Sequence, residues 1–262
     1  MKSTIRNGLM RKTGFAGLLQ LFMGVFIAAC VAFPCTAADK PAIFIAGDST
    51  ACLYKPEAKP QTGWCEVLPE STAAGTKVVN LAMGGTTTKS FRSYNIWKQI
   101  MDKIKPGDFV IIQFGCNDKF NNDPNVHASV PEYTENLKQF VKEVRDKKGT
   151  PVLCTPIPML QFYKEGKVCN AFDEYCKAVA DVAKEMTVDL VDVNKLYIEL
   201  LNKEGEEKSK RFYMFLEPGK SKNYPKGQKD ITHLQLEGAK AVADIFLKDA
   251  KTQKLPIAKC FK

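Results

Sequence analysis

The sequence predicts an α/β protein, a three-layer α/β/α sandwich built on a five-stranded parallel sheet. Short, unbroken apolar runs alternate with amphipathic segments along residues 39–262. Such runs are the mark of strands buried on both faces by covering helices. Glycine and polar residues able to do chemistry directly follow the first three runs. Loops at the carboxyl ends of parallel strands converge on one crevice, so reactive groups collect there.

The elements follow in order. A first strand is expected at 42–46 (AIFIA) and a second at 77–81 (KVVNL), each too short and too continuously apolar for an amphipathic helix. A helical pattern near 93–104 leads to a third strand at 109–114 (FVIIQF). Helical spacing at 131–147, a fourth strand at 152–155, a helix at 170–186 and a fifth strand at 188–193 come next, with a last helix at 236–251. The stretch 203–229 supports neither period and is expected to be irregular. No repeat or second domain is indicated, so 39–262 reads as a single domain.

The first 38 residues read as an export signal. Lys2, Arg6, Arg11 and Lys12 precede an acid-free apolar run at 15–33, and Thr36, Ala37 and Ala38 offer small residues for cleavage. A rival reading ends a lipoprotein signal at Cys30, after Ile27, Ala28 and Ala29. A retained membrane anchor fits less well with the small residues and Pro34 at the end of the run. Export implies a periplasmic or extracellular protein, or an outer-membrane lipoprotein, with no other membrane association. The whole chain carries +9. Removing four basic and no acidic residues leaves +5.

At 262 residues, 45% hydrophobic and 26% charged, the chain can bury a core, and collagenous or disordered classes fit poorly. With two histidines and no Cys-x-x-Cys pair, neither a three-imidazole nor a thiolate zinc site is available, and no metal or cofactor is expected. Seven cysteines lie beyond residue 38. The number is odd, so at least one is unpaired in an oxidising compartment. Cys169 and Cys176 could pair only if Cys169 lies outside a helix, since seven helical residues separate Cα atoms by about 10 Å. Cys154 reads as a small buried hydrophobe.

Four segments supply the parts of a nucleophilic site. The first strand ends in Gly47-Asp48-Ser49-Thr50, the second in Asn80-Leu81-Ala82-Met83-Gly84-Gly85, and the third in Gly115-Cys116-Asn117-Asp118. Asp230-Ile231-Thr232-His233 stands just before the last helix. A serine nucleophile needs a base, the base an orienting acid, and the oxyanion hydrogen-bond donors. Taken singly, Ser49 and Asp230 could be helix caps, the glycines and Asn117-Asp118 turn formers, and His233 a surface histidine. Jointly, four coincidences at the correct strand ends favour catalysis. His127 lies in a polar loop with no acid three residues before it and reads as a loop residue. No Gly-x-Ser-x-Gly elbow surrounds Ser49, which argues against an α/β-hydrolase fold.

The ordered set Gly47-Asp48-Ser49, Gly85, Gly115-x-Asn117-Asp118 and Asp230-x-x-His233 resembles the SGNH (GDSL-like) hydrolases, whose fold is flavodoxin-like. Within them it is most similar to the rhamnogalacturonan acetylesterase group, carbohydrate esterase family twelve. The likeness runs over about 42–251 and includes Gly63-Trp64, Thr155-Pro156, His233-Leu234 and Gly238-Ala239. It implies Ser49 as nucleophile, His233 as base and Asp230 as its orienter. The backbone N–H groups of Ser49 and Gly85 and the amide of Asn117 would form the oxyanion hole. Substrate contacts are expected from Asp48, Trp64, Thr86, Asp118, Lys220 and Tyr224. Many relatives carry Arg where this chain has Thr86 and His where it has Cys116. Both departures bear on substrate contacts, and Cys116 is either an oxidation-sensitive thiol or an inert filler.

Between 208 and 229 seven basic residues face Glu217 alone, a local +6, with Phe212, Tyr213, Phe215 and Tyr224 interleaved. Such a segment either meets carboxylates and stacks on sugar rings or is a solvated loop. The expected function is an exported, monomeric, metal-independent serine esterase. Its partner would be an acetylated, acidic polysaccharide of the plant cell wall, most readily pectic rhamnogalacturonan. The alternatives are an acetyl xylan or other short-acyl esterase, and a non-catalytic carbohydrate-binding surface protein on the same fold. Nucleic acid is not an expected partner, given export.

Overall fold

A computed structural model describes residues 40–262. The export-signal and lipoprotein readings of 1–38 lie outside them. Five strands, β1 (Ala42–Gly47), β2 (Lys77–Asn80), β3 (Phe109–Gln113), β4 (Thr150–Cys154) and β5 (Asp189–Val191), form one sheet in the order β2-β1-β3-β4-β5. Every pairing in it is parallel. Among the described residues eight α-helices accompany them: α1 (Thr88–Ser93), α2 (Ile96–Lys103), α3 (Cys116–Phe120), α4 (Val130–Asp146), α5 (Asp173–Met186), α6 (Val193–Glu204), α7 (Glu206–Ser209) and α8 (Leu236–Thr252). The expected three-layer sandwich is what forms.

Alternate strand residues point to opposite faces, and the core divides accordingly. Ile43, Ile45, Ile111 and Val152 pack with Tyr197 and Leu201 of α6 and with Val242 and Phe246 of α8. Phe44, Val110, Ile112 and Leu153 pack on the other face with Trp97 of α2, Phe140 of α4 and Val179 of α5. Burying both faces removes most of the apolar surface of each strand from water, at roughly 25 cal/mol per Å².

The structure departs from the sequence expectation in three places. The helix expected at 93–104 is two helices, α1 and α2, with Asn95 between them in the left-handed region at φ 58°. Helix α6 begins where the fifth strand was expected to end, its first turn capped by the Asp192 carboxylate accepting from the Lys195 N–H. The stretch 203–229 is not irregular throughout. It carries α7 and a strand β6 (Tyr213–Leu216), paired antiparallel with β7 (Gln228–Leu234) in a separate hairpin.

The chain leaves β1 for β2 at the sheet edge, then crosses back to β3 on the other side of β1. The order therefore reverses between β1 and β3, and a crevice opens outside their carboxyl ends.

Candidate active site

Ser49 follows β1 and sits at this crevice, with 8% of its surface exposed. Its Oγ lies 3.0 Å from Nε2 of His233, and the His233 Nδ1 lies 2.7 Å from Oδ2 of Asp230. The other Asp230 oxygen accepts from the backbone N–H of Thr232 at 2.8 Å and of His233 at 3.1 Å. Burial alone would raise the Asp230 carboxyl. Hydrogen bonds from the His233 ring and these two N–H groups outweigh it and hold the carboxyl below its usual value. An ionised Asp230 can only accept, so the His233 proton belongs on Nδ1 and the Nε2 lone pair faces the Ser49 hydroxyl.

A β-bulge brings Asp230 and His233 together. In a regular strand, residues three apart point to opposite faces. Here Tyr213 pairs with Leu234 while its neighbour Met214 pairs with Asp230, so residues 231–233 have no counterpart on β6. The three extra residues fold back over the Asp230 carboxylate, and the ring of His233 returns to it.

The second and third strand ends close against the first. Gly84 lies beside Ser49, where an added Cβ would stand 3.7 Å from Ser49 Cβ. Gly85 adopts φ +79°, a left-handed conformation that a side chain would strain. Neither the Ser49 nor the Gly85 backbone N–H donates to another group among the described residues. One hydrogen of the Asn117 amide is donated to the Thr86 carbonyl at 3.0 Å, which fixes the side chain and leaves the other hydrogen free.

Four of the expected substrate contacts are sealed from solvent instead. Asp48 is fully buried, and its Oδ1 accepts the Thr50 N–H at 2.9 Å. The Thr50 hydroxyl sits between Asp48 Oδ1 at 2.7 Å and Gln113 Oε1 at 2.9 Å, and the Trp64 indole N–H donates to the same Gln113 oxygen at 3.0 Å. Burial pushes the Asp48 carboxyl up against the pull of Thr50. Trp64 itself packs on Phe246 of α8. The Thr86 hydroxyl bonds to the Met83 carbonyl at 2.8 Å, within the turn. Asp118 accepts the N–H and hydroxyl of Thr88 at 2.9 and 2.6 Å, and burial raises its carboxyl to about 7. These side chains hold the strand-end loops in place. The motif residues beside a nucleophile are as readily braces as contacts, and only burial separates the two.

Cys116 is the inert filler of the two options, because burial raises its thiol and disfavours the thiolate. Cys169 does lie outside a helix, but all seven cysteines among the described residues are free thiols. The sequence reading missed Tyr54, whose hydroxyl donates to the Ser49 carbonyl at 2.8 Å, and Gln113. Gln113 was visible as the one amide in an apolar strand, which demands a buried partner.

Lys220 is exposed on the 217–227 loop that joins β6 to β7. Asn223 pins that loop to the segment after Ser49, donating to the Pro56 and Lys59 carbonyls at 2.8 Å each. The Tyr224 hydroxyl is committed to the Ala58 carbonyl at 3.1 Å, so it works as a latch. Phe212 and Tyr213 are buried, and Lys210 and Arg211 are engaged with Glu207 and with Glu204 and Glu237. What remains of the basic segment at this end is Lys220, Lys222, Lys226 and Lys229, all exposed and outside the ion pairs of the described residues; Lys55, exposed as well, precedes the Pro56 that Asn223 holds.

Residues 45–241 match the family described as "GDSL-like Lipase/Acylhydrolase". The chain is 31% identical over 215 residues to the rhamnogalacturonan acetylesterase RhgT of Bacillus subtilis, covering 82% of this chain and 91% of that protein. The crystal structure of the Bacillus subtilis protein YxiM superposes with a TM-score of 0.73 at 27% identity, over 83% of this chain. The chain spans 58% of YxiM. The acetylxylan esterase Axe2 of Geobacillus stearothermophilus shares the fold, with a TM-score of 0.58 at 20% identity over 80% of this chain and 93% of its own.

Proposed function

The chain belongs to the GDSL-like lipase/acylhydrolase family, and on that premise we propose that it is an exported serine esterase that removes O-acetyl groups from an acidic cell-wall polysaccharide, pectic rhamnogalacturonan foremost. The observation that carries this reading is the hydrogen-bonded chain from Asp230 through His233 to Ser49 at the open end of the sheet.

In this reading the Ser49 Oγ attacks the acetyl carbonyl while His233 Nε2 takes its proton. The carbonyl oxygen becomes an oxyanion between the N–H groups of Ser49 and Gly85 and the free amide hydrogen of Asn117. The tetrahedral intermediate collapses, His233 returns the proton to the departing sugar hydroxyl, and an acetyl-serine remains. Water, deprotonated by His233, then releases acetate and restores Ser49. Asp230 stays ionised throughout and stabilises the imidazolium.

An acidic substrate is favoured by Lys55, Lys220, Lys222, Lys226 and Lys229, which the Asn223 contacts gather beside the segment that follows the nucleophile. The relative RhgT is named for rhamnogalacturonan. Acetate release is to be measured on acetylated rhamnogalacturonan, acetyl xylan and 4-nitrophenyl acetate. Ser49→Ala is expected to abolish it on all three, and unchanged release by that variant would sink the mechanism. The triple replacement of Lys220, Lys222 and Lys226 by Ala should raise KM on the pectic polymer several-fold and leave the small ester alone. Equal losses on both would reject the acidic-substrate reading.

A further inference from the structure

Large apolar side chains left exposed are distributed unevenly over this protein. Among the described residues six are prominent: Leu53, Met83, Tyr94, Phe120, Tyr163 and Leu236. Leu53 follows β1, Met83 follows β2, Phe120 follows β3 and Tyr163 follows β4. Each of the first four strand ends therefore presents one, at exposures of 57%, 47%, 49% and 56%. Scattered single apolar residues are ordinary on a protein surface, whereas a concentration around one crevice marks a surface that is covered in use.

Phe120 is the best placed of the four. It stands three residues after Asn117 on α3, and residues three apart in a helix share a face, with Cβ atoms about 5–6 Å apart. Its ring is therefore one helical step from the amide that faces the reacting carbonyl. The ring is also held. It packs edge-on against Phe172 at 5.7 Å between centroids, and Phe172 is fully buried. Lys119, on the same turn, bonds to the Ala171 carbonyl and reaches over the Phe120 ring at 5.6 Å. A braced aromatic with half its surface in water is pre-organised to accept a flat apolar partner at little entropic cost. The C–H face of a pyranose ring is such a partner. Phe212 and Tyr213, two of the four aromatics interleaved with the basic segment, are buried and cannot serve.

We propose that Phe120 is the sugar platform of this site, stacking on the pyranose that carries, or directly neighbours, the acetylated position. Tyr163, in the loop after β4, is the other exposed aromatic among the four. The proposal rests on the esterase reading above and adds to it a contact with the sugar that is independent of the charge on the polymer.

The test is steady-state kinetics of Phe120→Ala, Phe120→Trp and Ser49→Ala on acetylated rhamnogalacturonan, acetyl xylan and 4-nitrophenyl esters of acetate, butyrate and octanoate. Phe120→Ala is expected to raise KM about tenfold on both polymers, with kcat and all small-ester rates within twofold of the parent. Phe120→Trp should restore the polymer KM. An unchanged polymer KM overturns the platform. So does a matching loss on 4-nitrophenyl acetate, which would mark Phe120 as a support for Asn117. A change in preference among acetate, butyrate and octanoate esters also overturns it, assigning the rim to acyl chains. Undiminished acetate release by Ser49→Ala is a separate failure, of the esterase reading itself.

Discussion

Asn117 shows how one side chain is committed twice. One amide hydrogen goes to the Thr86 carbonyl, which leaves the other free for the oxyanion in the proposed mechanism. Asn117→Ala removes a single donor and a single tether. It is expected to lower kcat on 4-nitrophenyl acetate by about 10²–10³-fold, near 3 kcal/mol, with KM little changed. A loss below about threefold would remove Asn117 from the oxyanion hole. Its neighbour Asp118 has the opposite fate, turned inward to hold Thr88 at the start of α1. On the proposed mechanism, adjacent residues of one motif divide between chemistry and support. The sequence shows both, but the direction in which each side chain points is set by the helical turn they share.

At the level of elements, the β6–β7 hairpin does more than lead into the last helix. Its bulge folds Asp230 and His233 together, and its loop is fastened to the segment after Ser49. Gly227 closes that loop at φ +77°, where an added Cβ would lie 2.5 Å from the Leu216 carbonyl oxygen. Gly227→Val should destabilise the protein by roughly 1–3 kcal/mol, read as a lowered Tm, and reduce kcat on the small ester as well as the polymer. A variant with parental Tm and kcat would show that the hairpin does not position His233. The hairpin was hidden because β6 is only four residues long and its partner stands a long loop away. The one local signal was the run Tyr213-Met214-Phe215-Leu216 ending at Glu217-Pro218-Gly219, a short apolar strand with a turn behind it.

For the molecule as a whole, the buried Asp118 carboxyl ties stability to pH. Its value of about 7 when folded lies above its ordinary 3.8. Between these limits the folded state binds more protons than the unfolded state, so this group's contribution to stability falls as pH rises to about 7 and then levels off. Asp118→Asn keeps an oxygen for Thr88 and removes the titration. Its Tm relative to the parent should therefore be several degrees more favourable at pH 8 than at pH 4.5. A difference in Tm that is the same at both values would show that Asp118 is ionised in the folded protein throughout this range.

The sequence by itself determined the five parallel strands, their helical cover and the four segments that carry Ser49, Gly85, Asn117 and the Asp230–His233 pair. It could do so because strand burial and helical periodicity are written in the local order of apolar residues. The tertiary structure decided which of those residues face the crevice. It turned Asp48, Trp64, Thr86 and Asp118 inward, paired Arg211 with Glu237 of the last helix, and left Lys220 and Phe120 in solvent. Exposure and pairing depend on residues far apart in the chain, such as Asn223 against Pro56 or His233 against Ser49. No local pattern encodes such contacts, because they exist only once the layers have packed.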